Sequence, residues 1–320
     1  MKFKPIVIVA GEPNSIFSEI FLKTINNNKF RSPIILICSK NLLLKQAKHL
    51  NQKIEFNEIN KKIALLKNQK FKKINLINVN FNQLRAFEKI SSKSNKYINE
   101  CFKIGLDLMR NEVSNKFING PISKETFLKN KFNGITEYLA HKTKTKNFAM
   151  IIYNKKLSVS PITTHIPIKY VTKKINKKKI IDKINLISNF WRKKFRKKAE
   201  IGITGLNPHC ESIAQYNEDK AIILPAIKSL KKKRIKINGP FSADTIFLSR
   251  NRKKFNIIVG MYHDQVLTPI KTLFEYDAIN ITLGLPFIRV SPDHGPNKNM
   301  LGKNSSNNLS MLNSIRFLDN

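Results

Sequence analysis

Asn256-Ile257-Ile258-Val259-Gly260-Met261-Tyr262-His263 is a short apolar run that ends, just past a glycine, in a histidine. A run this brief and this rich in β-branched residues predicts a strand buried on both faces, as in a parallel sheet. Two other stretches share its form. Leu157-Ser158-Val159-Ser160-Pro161-Ile162-Thr163-Thr164 leads to His165, and Ile201-Gly202-Ile203-Thr204-Gly205-Leu206-Asn207-Pro208 leads to His209. Each histidine is expected just beyond the C-terminal end of its strand. In open α/β sheets the loops at that edge converge on one crevice, and ligands bind there.

Outward from these runs, short β-branched segments alternate with longer amphipathic ones, which predicts an α/β protein with a largely parallel sheet. Strands are expected at Ile6–Ala10, Pro33–Cys38, Ile74–Val79, Lys116–Asn119, Phe148–Tyr153, Leu157–Ile162, Glu200–Gly205, Asn256–Met261 and Ala278–Thr282. Helices are expected at Asn14–Asn26, Lys40–Leu50, Lys93–Asn111, Ser123–Asn130, Lys178–Lys194, Asn217–Leu230 and Ala243–Leu248. No internal repeat or low-complexity linker interrupts the pattern. The lysine-rich stretch Lys173–Lys198 reads as a helical surface excursion.

The 320 residues carry 59 Lys+Arg against 21 Asp+Glu, a formal charge of +38, while 41% are hydrophobic, enough for a sizeable core. That charge invites a basic nucleic-acid-binding protein as an alternative. Only ten of the cations are Arg, the bidentate phosphate and guanine reader, and no interleaved aromatic–basic stretch or zinc-finger spacing accompanies them. Solvated lysine-rich faces are the simpler reading, and attraction of small anions survives under either. No apolar run reaches the eighteen or so residues that cross a bilayer. The apolar Pro5–Ala10 run is interrupted by Glu12-Pro13-Asn14, so a first buried strand is expected there rather than a leader. Three widely spaced cysteines, Cys38, Cys101 and Cys210, argue against a disulfide framework and for a reducing, cytoplasmic setting.

Three neutral imidazoles at one edge would make a divalent-metal site with positions open for substrate oxygens. Taken singly, a histidine at a strand end is as well explained as a hydrogen-bonding loop residue. Asp264 adjoins His263 and suits a role in orienting it or in proton transfer. Lys271 and Arg289 suit a phosphate or carboxylate, although each is also readable as a surface cation. Asn280 suits a substrate hydrogen bond or a loop cap. Thr136 and Glu137 fall at a helix start, where backbone N–H groups favour anions and where ordinary caps also occur. No GxGxxG or P-loop pattern appears, so a nucleotide would bind outside the Rossmann mode.

Several ordered motifs carry a resemblance. They are Asn119-Gly120-Pro121-Ile122-Ser123-Lys124, Thr136-Glu137-Tyr138-Leu139-Ala140, Thr164-His165-Ile166-Pro167 and Gly205-Leu206-Asn207-Pro208-His209. Gly239-Pro240-Phe241-Ser242-Ala243-Asp244-Thr245, Met261-Tyr262-His263-Asp264-Gln265, Thr282-Leu283-Gly284-Leu285-Pro286 and Arg289-Val290-Ser291-Pro292-Asp293-His294-Gly295 follow. From about residue 6 to 302 the chain resembles the 4-hydroxythreonine-4-phosphate dehydrogenase family of pyridoxal 5′-phosphate biosynthesis. The resemblance implies an isocitrate/isopropylmalate-dehydrogenase-like fold of two α/β lobes, with boundaries near 125 and 285 and an interlobe cleft. It implies a homodimer with a shared active site and no specific nucleic acid or membrane partner.

The resemblance also implies a reaction. NAD, or NADP in its place, would oxidise 4-phosphooxy-L-threonine at C3, and decarboxylation would give 3-amino-2-oxopropyl phosphate. His165, His209 and His263 would bind Zn²⁺, Mg²⁺ or Co²⁺, while Thr136, Lys271, Asn280 and Arg289 would contact substrate. Asp264 is the candidate for proton transfer. The chain departs from the family pattern at four places. Ile135 replaces a substrate-contacting histidine, Ser15 and Phe17 replace two glycines near the N-terminus, Cys210–Gln215 replaces a glycine-rich stretch, and Pro296-Asn297-Lys298 replaces a Thr-Ala-rich tail. These departures leave room for a relative acting on another phosphorylated hydroxy acid, such as a four-carbon sugar-acid phosphate, or for a metal-binding relative without catalysis.

Overall fold

The computed structural model describes residues 3–66, 69–129, 131–211 and 216–319. Twelve strands lie among them: β1 (Ile6–Val9), β2 (Ile34–Cys38), β3 (Asn57–Ile59), β4 (Ile74–Asn78), β5 (Lys116–Asn119), β6 (Ala149–Tyr153), β7 (Ser158–Pro161), β8 (Ile201–Thr204), β9 (Ile237–Phe241), β10 (Ile257–Gly260), β11 (Ile279–Leu283) and β12 (Ile288–Pro292). The chain divides into two compact units, Met1–Tyr138 with Pro286–Asn320, and Leu139–Leu285.

In the first unit the strands run β3-β4-β2-β1-β5-β12, and every pairing is parallel. The central strand β1, Ile-Val-Ile-Val, is completely buried, as a parallel strand covered by helices on both faces must be. Helix Asn95–Arg110 supplies one cover, burying Ile98, Cys101, Phe102 and Leu106 on one face. In the second unit the order is β11-β6-β7-β10-β8-β9. Here β11–β6 and β6–β7 are antiparallel, while β7–β10, β10–β8 and β8–β9 are parallel. The sheet is therefore mixed in this half rather than parallel throughout.

All nine expected strands form, within one or two residues at each end. Three were not anticipated. Asn57–Ile59 is short and polar, Ile237–Phe241 contains Gly239-Pro240, and Ile288–Pro292 carries Arg289, Ser291 and Pro292. The expected helices form too, with two corrections. Asn217–Leu230 opens with a π-type segment at Asp219–Ile223 before its α-helical part, Leu224–Lys232. Ser123–Asn130 is a five-residue π-type turn at Lys124–Leu128, with Ser123 Oγ accepting from Thr126 N–H, and Asn130 lies outside the described residues. Two long helices were missed: His263–Phe274, disguised by the internal Pro269, and Leu309–Asp319. All three cysteines are free thiols, with Cys38 and Cys101 buried. None of the described helices is long and apolar enough to cross a membrane.

The exits of β1 and β5 pack backbone against backbone. Gly120 N–H donates to Val9 O at 2.8 Å, and Glu12 N–H donates to Pro121 O at 2.8 Å. A Cβ on Gly120 would fall 2.1 Å from Ala10 O, whereas one on Gly295 would meet nothing within 4 Å. Gly120→Ala should therefore cost about 1–3 kcal/mol by overpacking a rigid backbone contact. Gly295→Ala should stay within about 0.5 kcal/mol. Thermal melts of the two variants side by side check the difference; equal melting temperatures would contradict it.

Beside this junction Glu12 is 1% exposed, accepting from Asn14 N–H at 3.2 Å and from the Ser94 hydroxyl at 3.0 Å. Burial pushes its carboxyl above the ordinary 4.5, and these two hydrogen bonds pull it partly back. A raised acid holds its proton in the native state over a pH range where the unfolded chain has lost it. Its contribution to stability therefore falls as pH rises above 4.5. Relative to Glu12→Gln, the unaltered protein should lose stability in urea melts between about pH 4 and pH 7. A stability gap that stays constant or widens in its favour would refute this.

Candidate active site

Strands β7, β10 and β8 are adjacent and parallel, with Ser158 beside Ile257 and Ile257 beside Ile201. Their C-terminal ends thus open on one edge, and the loops to His165, His263 and His209 leave from it. Pairing continues past the strands: Ile162 N–H donates to Gly260 O at 2.8 Å, and Thr163 N–H to Met261 O at 3.0 Å. The extension carries His165 to His263, with ring centroids 5.6 Å apart and planes at 46°. Two imidazoles sharing one tetrahedral ion at metal–nitrogen distances of about 2.0–2.1 Å would have centroids roughly 5.3 Å apart, so this pair has the spacing of two ligands.

His209 is placed differently. It is exposed, in a left-handed conformation with φ of 56°, within the turn Pro208–Cys210. Among the described residues, no group of three or more His, Cys, Asp or Glu side chains is close enough to hold an ion. The structure therefore brings two of the three histidines together. The Ser212–Gln215 part of the departure that follows His209 lies outside the described residues.

Asp264 has its Oδ1 2.7 Å from His263 Nδ1, with the carboxylate side chain 78% exposed and the imidazole 35% exposed. A carboxylate only accepts, so Nδ1 carries a proton here and Nε2 of the neutral ring keeps its lone pair. The loop before His209 is clamped by Asp219, 1% exposed. Its two oxygens accept from Leu206 N–H at 2.7 Å, Asn207 N–H at 3.2 Å and Asn207 Nδ2 at 2.9 Å. No local spacing announced this clamp, because Asp219 sits ten residues past the histidine that its loop carries.

In the first unit Arg289, on β12, is completely buried. Its Nε–H donates to Asn119 Oδ1 at 2.7 Å, and Nη1 donates to Thr136 Oγ1 at 3.4 Å. Asn119 Nδ2 donates in turn to Gly120 O at 2.8 Å, which fixes which way the amide faces. Burial pushes the guanidinium down to about 9, against the opposing pull of the Glu137 carboxylate. At neutral pH the group therefore remains cationic. The alternative of a surface cation is ruled out for Arg289. Thr136, 3% exposed, opens the helix Ile135–Lys142 beside it.

In the second unit Lys271 is half-buried on helix His263–Phe274, two turns beyond His263. Asn280, on β11, directs Nδ2 at Met150 Sδ at 3.5 Å. Its Oδ1 is buried without a hydrogen-bond partner among the described residues. An unmet buried acceptor costs free energy unless something else satisfies it, and a bound ligand's hydroxyl or ammonium would.

The family model for the pyridoxal phosphate biosynthetic protein PdxA matches residues 29–318. The chain belongs to the PdxA family. It is 38% identical to a 4-hydroxythreonine-4-phosphate dehydrogenase of Sulfurihydrogenibium sp. (strain YO3AOP1), covering 98% of this chain and 96% of that protein. It is 30% identical to the D-threonate 4-phosphate dehydrogenase of Salmonella typhimurium, with 92% of each covered. A solved 4-hydroxythreonine-4-phosphate dehydrogenase from Klebsiella pneumoniae superposes with a TM-score of 0.80 at 27% identity, over 98% of both chains. The fold extends to a β-decarboxylating dehydrogenase from Thermococcus kodakarensis, with a TM-score of 0.54 at 11% identity over 99% of this chain and 82% of that one. PdxA membership makes the chain an oxidoreductase of the dehydrogenase type.

Two of the departures from the PdxA pattern are absorbed locally. Ser15 Oγ donates to Glu12 O at 2.7 Å and accepts from Phe17 N–H at 3.3 Å, while Phe17 is buried and stacks on Phe21 at 5.6 Å. Asn119, quoted above only as part of a motif, emerges as the acceptor for a buried cation. Asn119→Ala should destabilise the fold by about 1.5–3 kcal/mol, the scale of one charge-assisted hydrogen bond. Denaturant titration measures it, and a change below about 0.5 kcal/mol would contradict the assignment.

Proposed function

We propose that this PdxA-family chain oxidises 4-phosphooxy-L-threonine at C3, with NAD (or NADP) as hydride acceptor, and that decarboxylation yields 3-amino-2-oxopropyl phosphate. The observation that carries the reading is the His165–His263 pair at ligand spacing on the edge where three adjacent strands end. High-coverage likeness to proteins named for this activity supports it. His165, His209 and His263 would hold a divalent cation, Zn²⁺, Mg²⁺ or Co²⁺. The His165–His263 pair fits such an ion, with Asp264 holding His263 in the tautomer that leaves Nε2 available, and His209 would have to join them from its own loop. When bound, the cation supplies Lewis acidity that makes a substrate hydroxyl more acidic and stabilises negative oxygen.

The remaining work falls to the chain's own groups. Arg289, fixed by Asn119, and Lys271 would bind the phosphate and carboxylate, orienting C3 for hydride loss. Asn280 would satisfy its buried Oδ1 on a substrate donor. Thr136 would add a hydroxyl beside Arg289. Asp264, exposed and bonded to His263, is the proposed proton carrier to water. We place the reaction in the cytoplasm and in a homodimer.

One observation favours a second reading. Ile135 can neither donate a hydrogen bond nor carry charge, and a relative 30% identical is named for D-threonate 4-phosphate, a substrate without the amino group. NADH formation with 4-phosphooxy-L-threonine and with D-threonate 4-phosphate, each with Zn²⁺, Mg²⁺ or Co²⁺, separates the two. NADH from the amino acid substrate, lost on chelation, is expected. NADH from D-threonate 4-phosphate alone favours the second reading, and none from either substrate refutes both. Arg289→Met should lower kcat/KM by roughly 100-fold through loss of the buried cation. A large gain in turnover from Ile135→His would show that the site has lost a contact.

A further inference from the structure

Gln265 lies in the first turn of helix His263–Phe274, and its amide is committed to the ends of two neighbouring strands. Oε1 accepts from Met261 N–H at 2.7 Å and from the Thr204 hydroxyl at 2.8 Å, while Nε2 donates to Gly205 O at 2.8 Å. Met261 follows β10 and lies two residues before His263. Thr204 closes β8, and Gly205 begins the loop to His209. One side chain therefore spans the two strand exits that launch two of the candidate ligands.

The sequence makes room for this span. A Cβ on Gly260 would fall 2.4 Å from Val266 Cγ1 and 3.0 Å from Gln265 Oε1. A Cβ on Gly205 would fall 2.6 Å from Asp219 Oδ1 and 2.7 Å from Cys210 Sγ. Asp219 then takes over from Gln265, holding Leu206 and Asn207 on the same loop. The span also requires both halves of an amide. A glutamate has no donor for Gly205 O, a methionine has the length without the polarity, and an asparagine is one methylene short.

We infer that Gln265 is a positioning residue that sets the His209 loop against His263, and through that spacing the affinity for a divalent cation. The cation half of the inference rests on the reading proposed above; the spacing half does not. Side chains one layer behind metal ligands commonly change affinity 10–100-fold when altered.

The test uses full-length protein with ¹³C-labelled histidine, at one fixed pH, metal-free and then titrated with Co²⁺. In Gln265→Met the ring signals of His209 and His263 should move while that of His49, in the other unit, stays. The Co²⁺ dissociation constant should rise about 10–100-fold. Thr204→Val removes one of the three hydrogen bonds and should give smaller changes in the same sense; it carries the test if Gln265→Met does not fold. Unmoved His209 and His263 signals in a folded variant overturn the inference, as do moved signals with unchanged Co²⁺ affinity. An unaltered protein that takes up no Co²⁺ defeats the cation reading instead, and movement of the ring signals then decides the positioning role alone.

Discussion

The parallel register of β7, β10 and β8 is the constraint on which the site depends. Ser158, Val159, Ser160 and Pro161 lie beside Ile257, Ile258, Val259 and Gly260, and Ile257, Ile258 and Val259 lie beside Ile201, Gly202 and Ile203. Side chains alternate faces along a strand, so a slip by one residue would exchange the two buried faces of every strand involved. Both faces are full: all four residues of β7, β8 and β10 are buried. The core thereby fixes the strand exits, and the exits fix where the histidine loops begin. Hydrogen bonds from Ile162 and Thr163 continue the register to within two residues of His165. That continuation is why His165 and His263 meet, whereas His209, beyond a longer and differently held loop, is presented separately.

A second constraint is electrostatic. Of 59 cationic side chains, most are solvated, where water and salt screen them and their energetic consequence is small. Arg289 is the opposite case, because a completely buried guanidinium has lost its hydration and must be held by fixed dipoles. The Asn119 carbonyl, the Thr136 hydroxyl and the Glu137 carboxylate do this, and Asn119 is itself oriented by Gly120 O. The formal charge of +38 therefore says little about the chemistry. One buried arginine with an assigned geometry says more.

The strands were legible because buried β-branched runs such as Ile6–Val9 and Ile257–Gly260 have few other readings. What escaped did so for physical reasons. β9 carries a proline and β3 is three polar-leaning residues, both tolerated at a sheet margin where ladder hydrogen bonds can be forgone. Helix His263–Phe274 hid behind Pro269, which forfeits one backbone hydrogen bond but leaves the apolar stripe of Val266, Leu267 and Ile270 buried. The three histidines do follow strand ends, as expected, while Arg289 and Asn280 lie inside strands and Lys271 on a helix. Their supports were not legible, since the links from Gln265 to Thr204 and from Arg289 to Asn119 span 61 and 170 residues. Spacing along a chain carries no information about such pairs.

The departures from the family pattern divide by what each side chain is asked to do. Where Ser15 and Phe17 stand for glycines, the requirement is to enter a helix and fill space. A hydroxyl that bridges Glu12 and Phe17, and a ring that stacks on Phe21, meet that requirement by other means. Frame positions tolerate such exchanges because burial and backbone hydrogen bonding can be satisfied by several side chains. Ile135 is of another kind. It is half-buried at the start of the helix that carries Thr136, and no rearrangement lets a hydrocarbon donate a proton or bear charge. At Ser15 and Phe17 the frame of the PdxA fold is thus held by other contacts. A loss of polarity at position 135 is therefore not made good by its surroundings in the way that the two glycine replacements are.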